Sequence, residues 1–462
     1  MTSSPVRAIA LFAGPILAGL AALLLSSMGY SGAIAVTGMV ATWCVVWWIF
    51  EPVPIPVTSL LPLAVLPLFG VLTPAEVGAA YGSPLILLLL GGFILSRAME
   101  SSGAHRRVAL NMMRLFGATS DRRLVFGFMA AAAVLSMWIS NTATTLMLFP
   151  VAMAILEKVR GDTLAIPLLL GMAYAASVGG IATPIGTPPN LVFMQVFKET
   201  TGGEVTFTQW MGWGLPVVLV MVPVMGLWLT RNLRGSSDVD LPESGAWRPE
   251  EKRVMAVFAL TALAWITRTE PFGGWRAWLD LPTANDASVA MLAVILMFVI
   301  PSGRGRGERL LTWEQAVTIP WGVLILFSGG ICLAKGFVSS GLSTVLGDWL
   351  ASLSYLPLWA LIGMICLVVT FLTETTSNVA STTLLMPILA AAGISAGIPP
   401  EVLMVPAAMT ASCAFMLPVA TAPNTVVYGS GRIPVERMAR EGFALNMLGV
   451  LVVATICYWR LA

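Results

Sequence analysis

The sequence predicts an all-α polytopic membrane protein assembled from two inverted-topology repeats. Three observations predict it. Of 462 residues, 57% are hydrophobic and only 10% charged, where a soluble domain carries about 25% charged residues. Apolar runs long enough to cross a bilayer recur from end to end. Three polar motifs then recur in the same order at nearly constant offset.

Apolar runs between breakers place about 11 transmembrane helices, near 7–28, 31–50, 55–72, 82–103, 164–198, 210–231, 253–268, 287–301, 317–340, 401–428 and 441–460. The first is too long for a signal peptide, and its leading flank holds only Arg7. Trp43, Trp47 and Trp48 of "WCVVWWIFEP" suit an interfacial belt. Two further stretches, 121–160 and 356–392, turn polar at their midpoints and carry a proline soon after. Each reads as two half-length helices.

Basic residues cluster in alternate loops: Arg106, Arg107, Arg114, Arg122 and Arg123; Arg231, Arg234, Arg248, Lys252 and Arg253; Arg304, Arg306 and Arg309; and Arg432, Arg437 and Arg440. All of them share one side of the membrane only if 121–160 and 356–392 enter and leave on one face, as re-entrant hairpins. The amino terminus is then cytoplasmic, the carboxyl terminus outside, and the site of residence the cytoplasmic membrane. The exposed-loop motif His105-Arg106-Arg107 reads as a solvated loop end.

"GGFILSRAMESSG" at 91–103 matches "GGICLAKGFVSSG" at 329–341, "SNTATTLMLFP" at 140–150 matches "SNVASTTLLMP" at 377–387, and "PIGTPPN" at 184–190 matches "PVATAPN" at 418–424. Similarity between unrelated apolar helices would not keep Asn, Pro and Ser-Ser-Gly together. The chain therefore divides into an extra helix (1–30), a first repeat (31–232, with hairpin 121–160 and broken helix 164–198), a cytoplasmic linker (233–252) and a second repeat (253–462, with hairpin 356–392 and broken helix 401–428). The first hairpin opens to the cytoplasm and the second to the outside. Secondary transporters have this architecture, with their binding site at the midplane where broken helices meet.

The polar clusters can serve ions of both signs. Pro and Gly free carbonyl oxygens by breaking a helix, and those oxygens, with Ser, Thr and Asn side chains, suit a small hard cation. Half-helix amino termini turn N–H groups toward an anion. Asn supplies both donors and an acceptor. Glu374 is the single carboxylate near either tip, and it reads as support for the tip rather than as a proton carrier. Neutral donors suit an anionic substrate balanced by Na+, which lowers the cost of carrying a dianion through a low-dielectric region. Arg97 and Lys335 read as snorkelling or carbonyl-bonded groups.

Other chemistries lack their residues. The one histidine excludes a His-based metal centre or a Ser-His-Asp triad. No phosphate-binding glycine loop is present, so an ATP-driven pump is excluded, and no cofactor beyond the coupling ion is expected. Neither an enzyme nor a nucleic-acid partner is indicated. Cys44, Cys332, Cys366, Cys413 and Cys457 lie in apolar segments and read as small buried hydrophobes.

At these residues the chain resembles the divalent anion/sodium symporter family of dicarboxylate transporters over nearly its whole length. The signature is Ser140-Asn141-Thr142 and Ser377-Asn378-Val379 with "GTPP" and "ATAP". The resemblance implies a homodimer working by an elevator motion and importing C4-dicarboxylates such as succinate, malate or fumarate with Na+. It implies one Na+ site at Ser136, Ser140, Asn141 and Gly186, and a second at Thr373, Thr376, Asn378 and Ala420. Substrate carboxylates would meet Asn141, Thr142, Thr187, Ser377, Asn378, Val379 and Thr421. Val379 stands where the motif has Thr, which removes a hydroxyl donor and bears on substrate preference. Sulfate, citrate or another anion remains an alternative cargo. Na+-independent exchange and channel conduction remain alternative modes, and hydroxyls kept at Ser136 and Thr373 favour Na+ coupling.

Overall fold

The computed structural model describes residues 5–117, 120–159, 163–233, 245–270, 272–305, 307–351 and 356–462. Helix α1 (Pro5–Ser27) leads. Then come α2 (Gly32–Phe50), α3 (Ile55–Thr58), α4 (Leu60–Leu68), α5 (Pro74–Tyr81), α6 (Pro84–Ser102), α7 (Ala104–Phe116), α8 (Asp121–Ser136), α9 (Asn141–Lys158), α10 (Ala165–Gly179), α11 (Pro188–Thr201) and α12 (Phe207–Leu229). The later half holds α13 (Pro249–Ile266), α14 (Gly274–Trp278), α15 (Asp286–Val299), α16 (Trp313–Ala316), α17 (Trp321–Ser340), α18 (Leu342–Ala351), α19 (Leu358–Thr375), α20 (Asn378–Ala396), α21 (Pro400–Thr410), α22 (Ala422–Tyr428) and α23 (Val435–Leu461). Among the described residues no strand forms beyond one isolated bridge, Pro301 to Arg309.

Element starts keep the offset of the motifs. Helices α6, α7, α8 and α9 are matched by α17, α18, α19 and α20, and the broken pair α10–α11 by α21–α22. Even the short helices agree: Thr73 caps α5 in a capping box with Glu76, and Thr312 caps α16 with Gln315. The repeated "GG…SSG" motif has a structural explanation. Gly103 and Gly341 end α6 and α17 in the left-handed conformation, with φ of 81° and 84°, which a residue with a Cβ adopts only at a cost. A Cβ on Gly91 would fall 2.6 Å from the Ala290 side chain of α15, and one on Gly329 would collide with the Ser59 carbonyl between α3 and α4. Gly91 lets α6 pack closely on α15 and Gly329 lets α17 pack on α3 and α4, while Gly92 faces Ile185 and Gly330 faces Thr383 of α20.

Several expectations change. The run 55–72 is broken at Ser59, which is pressed against Gly329. Residues 74–81 and 342–351, which fall between the predicted segments, are helical. His105-Arg106-Arg107 is not a solvated loop end but the first turn of amphipathic α7. His105 Nδ1 lies 2.9 Å from the Met99 carbonyl, and burial, opposed by that contact, pushes its imidazole below the ordinary value. Of the linker 233–252, residues 234–244 lie outside the described residues, and α13 already begins at Pro249. Trp48 is 2% exposed and donates to Ser59 Oγ at 3.2 Å, while Trp47 donates to the Ala10 carbonyl of α1. These two indoles join helices, and the buried Trp48 is not at a surface. Arg97 pairs with Glu100, and Lys335 with Glu199 at 3.5 Å, so both are matched by carboxylates. All five cysteines are buried and free, as their apolar surroundings suggested.

The basic loops meet one another. Arg107 Nε donates to Glu251 Oε2 at 2.9 Å, and its other nitrogens donate to the carbonyls of Gly245 and Ala246. Arg248 donates to the Ser102 carbonyl, and Arg304 pairs with Glu250 at 3.0 Å. Arg234 and Arg306 lie outside the described residues. The Arg107 and Glu251 side chains are only 8% and 3% exposed, and Glu251 also pairs with Arg248 at 3.0 Å, so Arg107→Ala removes one of two cations from a buried carboxylate and the donors of two loop carbonyls. The variant is expected to lose about 1–3 kcal/mol of stability, read as a lower thermal midpoint in detergent.

Candidate substrate and cation site

Each hairpin reaches its tip through a short polar turn. Ser136 ends α8, and Ser140 caps α9 by accepting from the Ala143 N–H at 3.1 Å. Ser136 Oγ donates to Asn141 Oδ1 at 2.6 Å, which fixes the amide as acceptor on that side. In the second hairpin α19 ends at Thr375 and α20 begins at Asn378. Thr373 donates to the Thr370 carbonyl, and Thr376 donates to the Leu372 carbonyl while contacting Ser381. The arms number 16, 18, 18 and 19 residues, or about 24–28 Å. They are not half-length. Pro150 and Pro387, the prolines that follow the polar midpoints, sit inside α9 and α20.

The broken helices are held open by a matched pair of asparagines. Asn190 Nδ2 donates to the carbonyls of Gly180 and Thr183 at 2.9 and 2.8 Å, and Asn424 Nδ2 to those of Ala414 and Leu417 at 3.1 and 3.0 Å. Each amide satisfies two carbonyls that the break releases. Both close the motifs "TPPN" and "TAPN", and their role went unassigned in the sequence because the carbonyls they bind become unpaired only once the helix is interrupted. Gly186 must be glycine, since a Cβ there would be 2.9 Å from Gly180 Cα. Thr187 and Thr421 precede α11 and α22 in extended conformation, with Pro188 and Pro423 in the first turns.

The second break has a further support. Glu374 Oε1 accepts from the Met416 N–H (2.9 Å) and from Asn446 Nδ2 (2.7 Å), and Oε2 from the Leu417 N–H (3.0 Å). Asn446 Oδ1 accepts from the Phe415 N–H at 3.1 Å, and Tyr174 donates to the Phe415 carbonyl at 2.7 Å. The carboxylate therefore holds the loop and does not face the cavity, whose lining omits it.

Both tips and both breaks face one cavity of about 810 Å³, within the range of small-molecule sites, about 300–1,000 Å³. Ser140, Asn141, Thr142, Gly186, Thr187, Thr376, Ser377, Asn378, Ala420 and Thr421 line it. Ser136 and Thr373 are fully buried outside the lining, and Val379, 7% exposed, is also outside it. Helices α9, α11, α20 and α22 all begin at the cavity, so their positive dipole ends converge there. The acids that line it are Glu51 and Glu100, each beside an arginine, Arg7 at 4.0 Å and Arg97. What remains around the tips is hydroxyl, amide and backbone: a surface suited to an anion, with oxygens for a small cation.

This architecture has relatives. A family model described as citrate transporter matches residues 45–401, which include both hairpin tips and the first break. The chain belongs to the divalent anion/sodium symporter family. A sodium-dependent dicarboxylate transporter of Staphylococcus saprophyticus is 39% identical over 98% of this chain and 91% of its own length. The transporter of the same description from Staphylococcus aureus is 38% identical over 91% and 84%. In fold, the chain resembles the crystal structure of the Alcanivorax borkumensis YdaH transporter, with TM-score 0.59 at 15% identity over 85% of this chain and 88% of that one. Neisseria gonorrhoeae MtrF follows at 0.57 and 17%, over 83% and 82%. Among the described residues nine segments are long and apolar enough to cross a membrane, with Ile55–Leu68 and Asp286–Val299 as shorter apolar helices. The family member described here is a multi-pass membrane protein.

Proposed function

We propose that the protein is a secondary active transporter that carries C4-dicarboxylates such as succinate, malate or fumarate together with Na+ across the cytoplasmic membrane, and that it is not an enzyme. The observation that carries this reading is the meeting of two repeat-related Ser-Asn tips and two Thr-Pro breaks on one cavity. Four helix amino termini supply the anion's field, and acceptor oxygens supply the cation's. Neutralising a dianion with Na+ removes much of its desolvation cost. The relatives' description as sodium-dependent dicarboxylate transporters supports the same cargo.

Arms of full length whose tips share one cavity reach it as re-entrant hairpins from opposite faces, beside about 11 spanning helices. The division into repeats at 31–232 and 253–462 fits this arrangement, with the amino terminus cytoplasmic and the carboxyl terminus outside. The cavity's charged lining, Arg7, Glu51, Arg97 and Glu100, lies at the end of the basic loops, so the described state opens to the cytoplasm. The far end is tied shut. Ser83 donates to Gln195 at 2.6 Å, Gln195 donates to Glu199 at 2.7 Å, Glu199 pairs with Lys335, and Glu204 lies 3.7 Å from Arg268. These bonds join α11 and the loop after it to α6, α13 and α17. An elevator motion in a homodimer would exchange them as the hairpins and broken helices slide past the remaining helices. No cofactor beyond Na+ enters this scheme.

The test is uptake of labelled succinate into proteoliposomes under an inward Na+ gradient. Saturable uptake that collapses without Na+ is expected. Uptake equal to the Na+-free control overturns the symport reading, and uptake that needs internal dicarboxylate instead of Na+ establishes exchange. The family model's description favours citrate as a second cargo, and competition by citrate and sulfate ranks the anions.

A further inference from the structure

We infer that Ser177 and Ser412 each contribute a hydroxyl ligand to a cation held beneath the hairpin tips, beyond the side chains the family resemblance implies. Ser177 sits in the last turn of α10, and Ser412 in the break after α21. They are 235 positions apart, in the Ala-Ser of "AASVGG" and "TASCAF". Each is 1% exposed, each lines the cavity, and each Oγ is buried without a hydrogen-bond partner.

Thr58, Thr144, Thr187, Thr370 and Thr383 also bury an Oγ without a partner, but of these only Thr187, already placed in the site, lines the cavity. Most other hydroxyls buried in the helices are satisfied locally. Thr145, Thr261, Ser328 and Thr410 all donate to the carbonyl four residues back, the usual refuge of a hydroxyl in a membrane helix. Ser177 leaves that option unused. Its neighbours on the same helix face say what it faces. A Cβ on Gly180 would lie 2.8 Å from Asn141 Oδ1 and 3.0 Å from the Gly186 carbonyl oxygen, and Ser136 Oγ is 2.6 Å from that same Oδ1. The space is ringed by acceptor oxygens. A substrate carboxylate there would meet like partial charge. A small hard cation would be coordinated by all of them, as unwound carbonyls coordinate Na+ in broken-helix transporters. A buried hydroxyl without a partner is costly unless a ligand satisfies it, and a cation bound during the cycle does so. Ser412 occupies the related place in the other repeat.

The inference rests on the Na+-coupled reading, and the experiment separates the two. Wild type, Ser177→Ala, Ser412→Ala and the near-isosteric Ser177→Cys and Ser412→Cys are compared. One readout is the Na+ concentration for half-maximal succinate uptake. The other is the Na+-induced rise in thermal midpoint of purified protein without substrate. Each variant is expected to raise half-saturation about fivefold to thirtyfold, the worth of one lost hydrogen-bonding ligand. It is also expected to shrink the Na+-induced thermal shift, with the succinate KM at saturating Na+ within about twofold of wild type, because the substrate's own donors are kept. The cysteine variants keep size and should fold, while sulfur is a poor Na+ ligand. Unchanged Na+ dependence in the variants overturns the inference, as does a raised succinate KM with Na+ dependence intact. Wild-type protein whose uptake and melting ignore Na+ overturns the symport reading itself.

Discussion

Asn141→Ala and Asn378→Ala are each expected to lower Na+-driven succinate uptake by about a hundredfold or more, from the loss of several ligand bonds at about 1–2 kcal/mol each. Their thermal midpoints should stay within a few degrees of wild type. Both asparagines start a helix at the cavity and are only partly buried, so truncation removes ligand contacts and little packing. Asn141 carries more than a contact. Its Oδ1 accepts from Ser136, a residue implied in the same cation site, and its amide donors remain for an anion. Alanine therefore uncouples the two charges as well as weakening each. In Asn378 the backbone carbonyl accepts from Thr382 at 2.6 Å, a bond alanine keeps, which argues that the tip survives. Rates near wild type in either variant would remove these tips from the site. A collapse of both rate and melting point would instead mark the asparagines as structural.

Much of this site is legible in the sequence because polar residues inside an apolar run have no cheap alternative to a purpose. Ser140-Asn141-Thr142 and its repeat announce the tips, and Pro188 and Pro423 announce the breaks. What stays hidden depends on partners far along the chain. Arg107 reads as solvated until Glu251, 144 residues on, is found beside it. Trp48 reads as interfacial until it is found buried with its N–H on Ser59. Helix α7 hid in a loop because its charged first turn masks an apolar face formed by Ala104, Leu110 and Met113. Arm length is hidden for a related reason: a polar tip marks where the chain turns and says nothing of how far each arm runs, and α19 and α20 are each long enough to span. The asymmetry of Thr142 and Val379 is real in sequence, but only Thr142 reaches the cavity. The position therefore separates the repeats by which residue faces the substrate, in addition to which hydroxyl is missing.

Glu374→Ala is expected to reduce transport about as severely as loss of a tip asparagine, by a different route. The carboxylate collects three donors: the N–H groups of Met416 and Leu417 and the amide of Asn446. Hydrogen bonds to a charged acceptor are worth about 1.5–3 kcal/mol each, and their donors become a penalty once buried alone. Asn446 cannot simply turn over, because its Oδ1 already holds the Phe415 N–H. The first repeat has Met137 at the matching position and steadies its break through Trp210, which donates to the Ile181 carbonyl at 2.8 Å, so no second carboxylate can substitute. Glu374→Gln separates support from proton carrying. Its carbonyl can keep the bonds made by Oε1, while its amide nitrogen meets the Leu417 N–H donor to donor. The cost is about one bond and about a tenfold lower rate, with the thermal midpoint lowered less than in the alanine variant. If the group holds the loop, the pH profile of succinate uptake keeps its wild-type shape in Glu374→Gln. If that profile flattens while the melting point stays at wild type, Glu374 carries a proton during transport and the supporting role assigned to it is wrong.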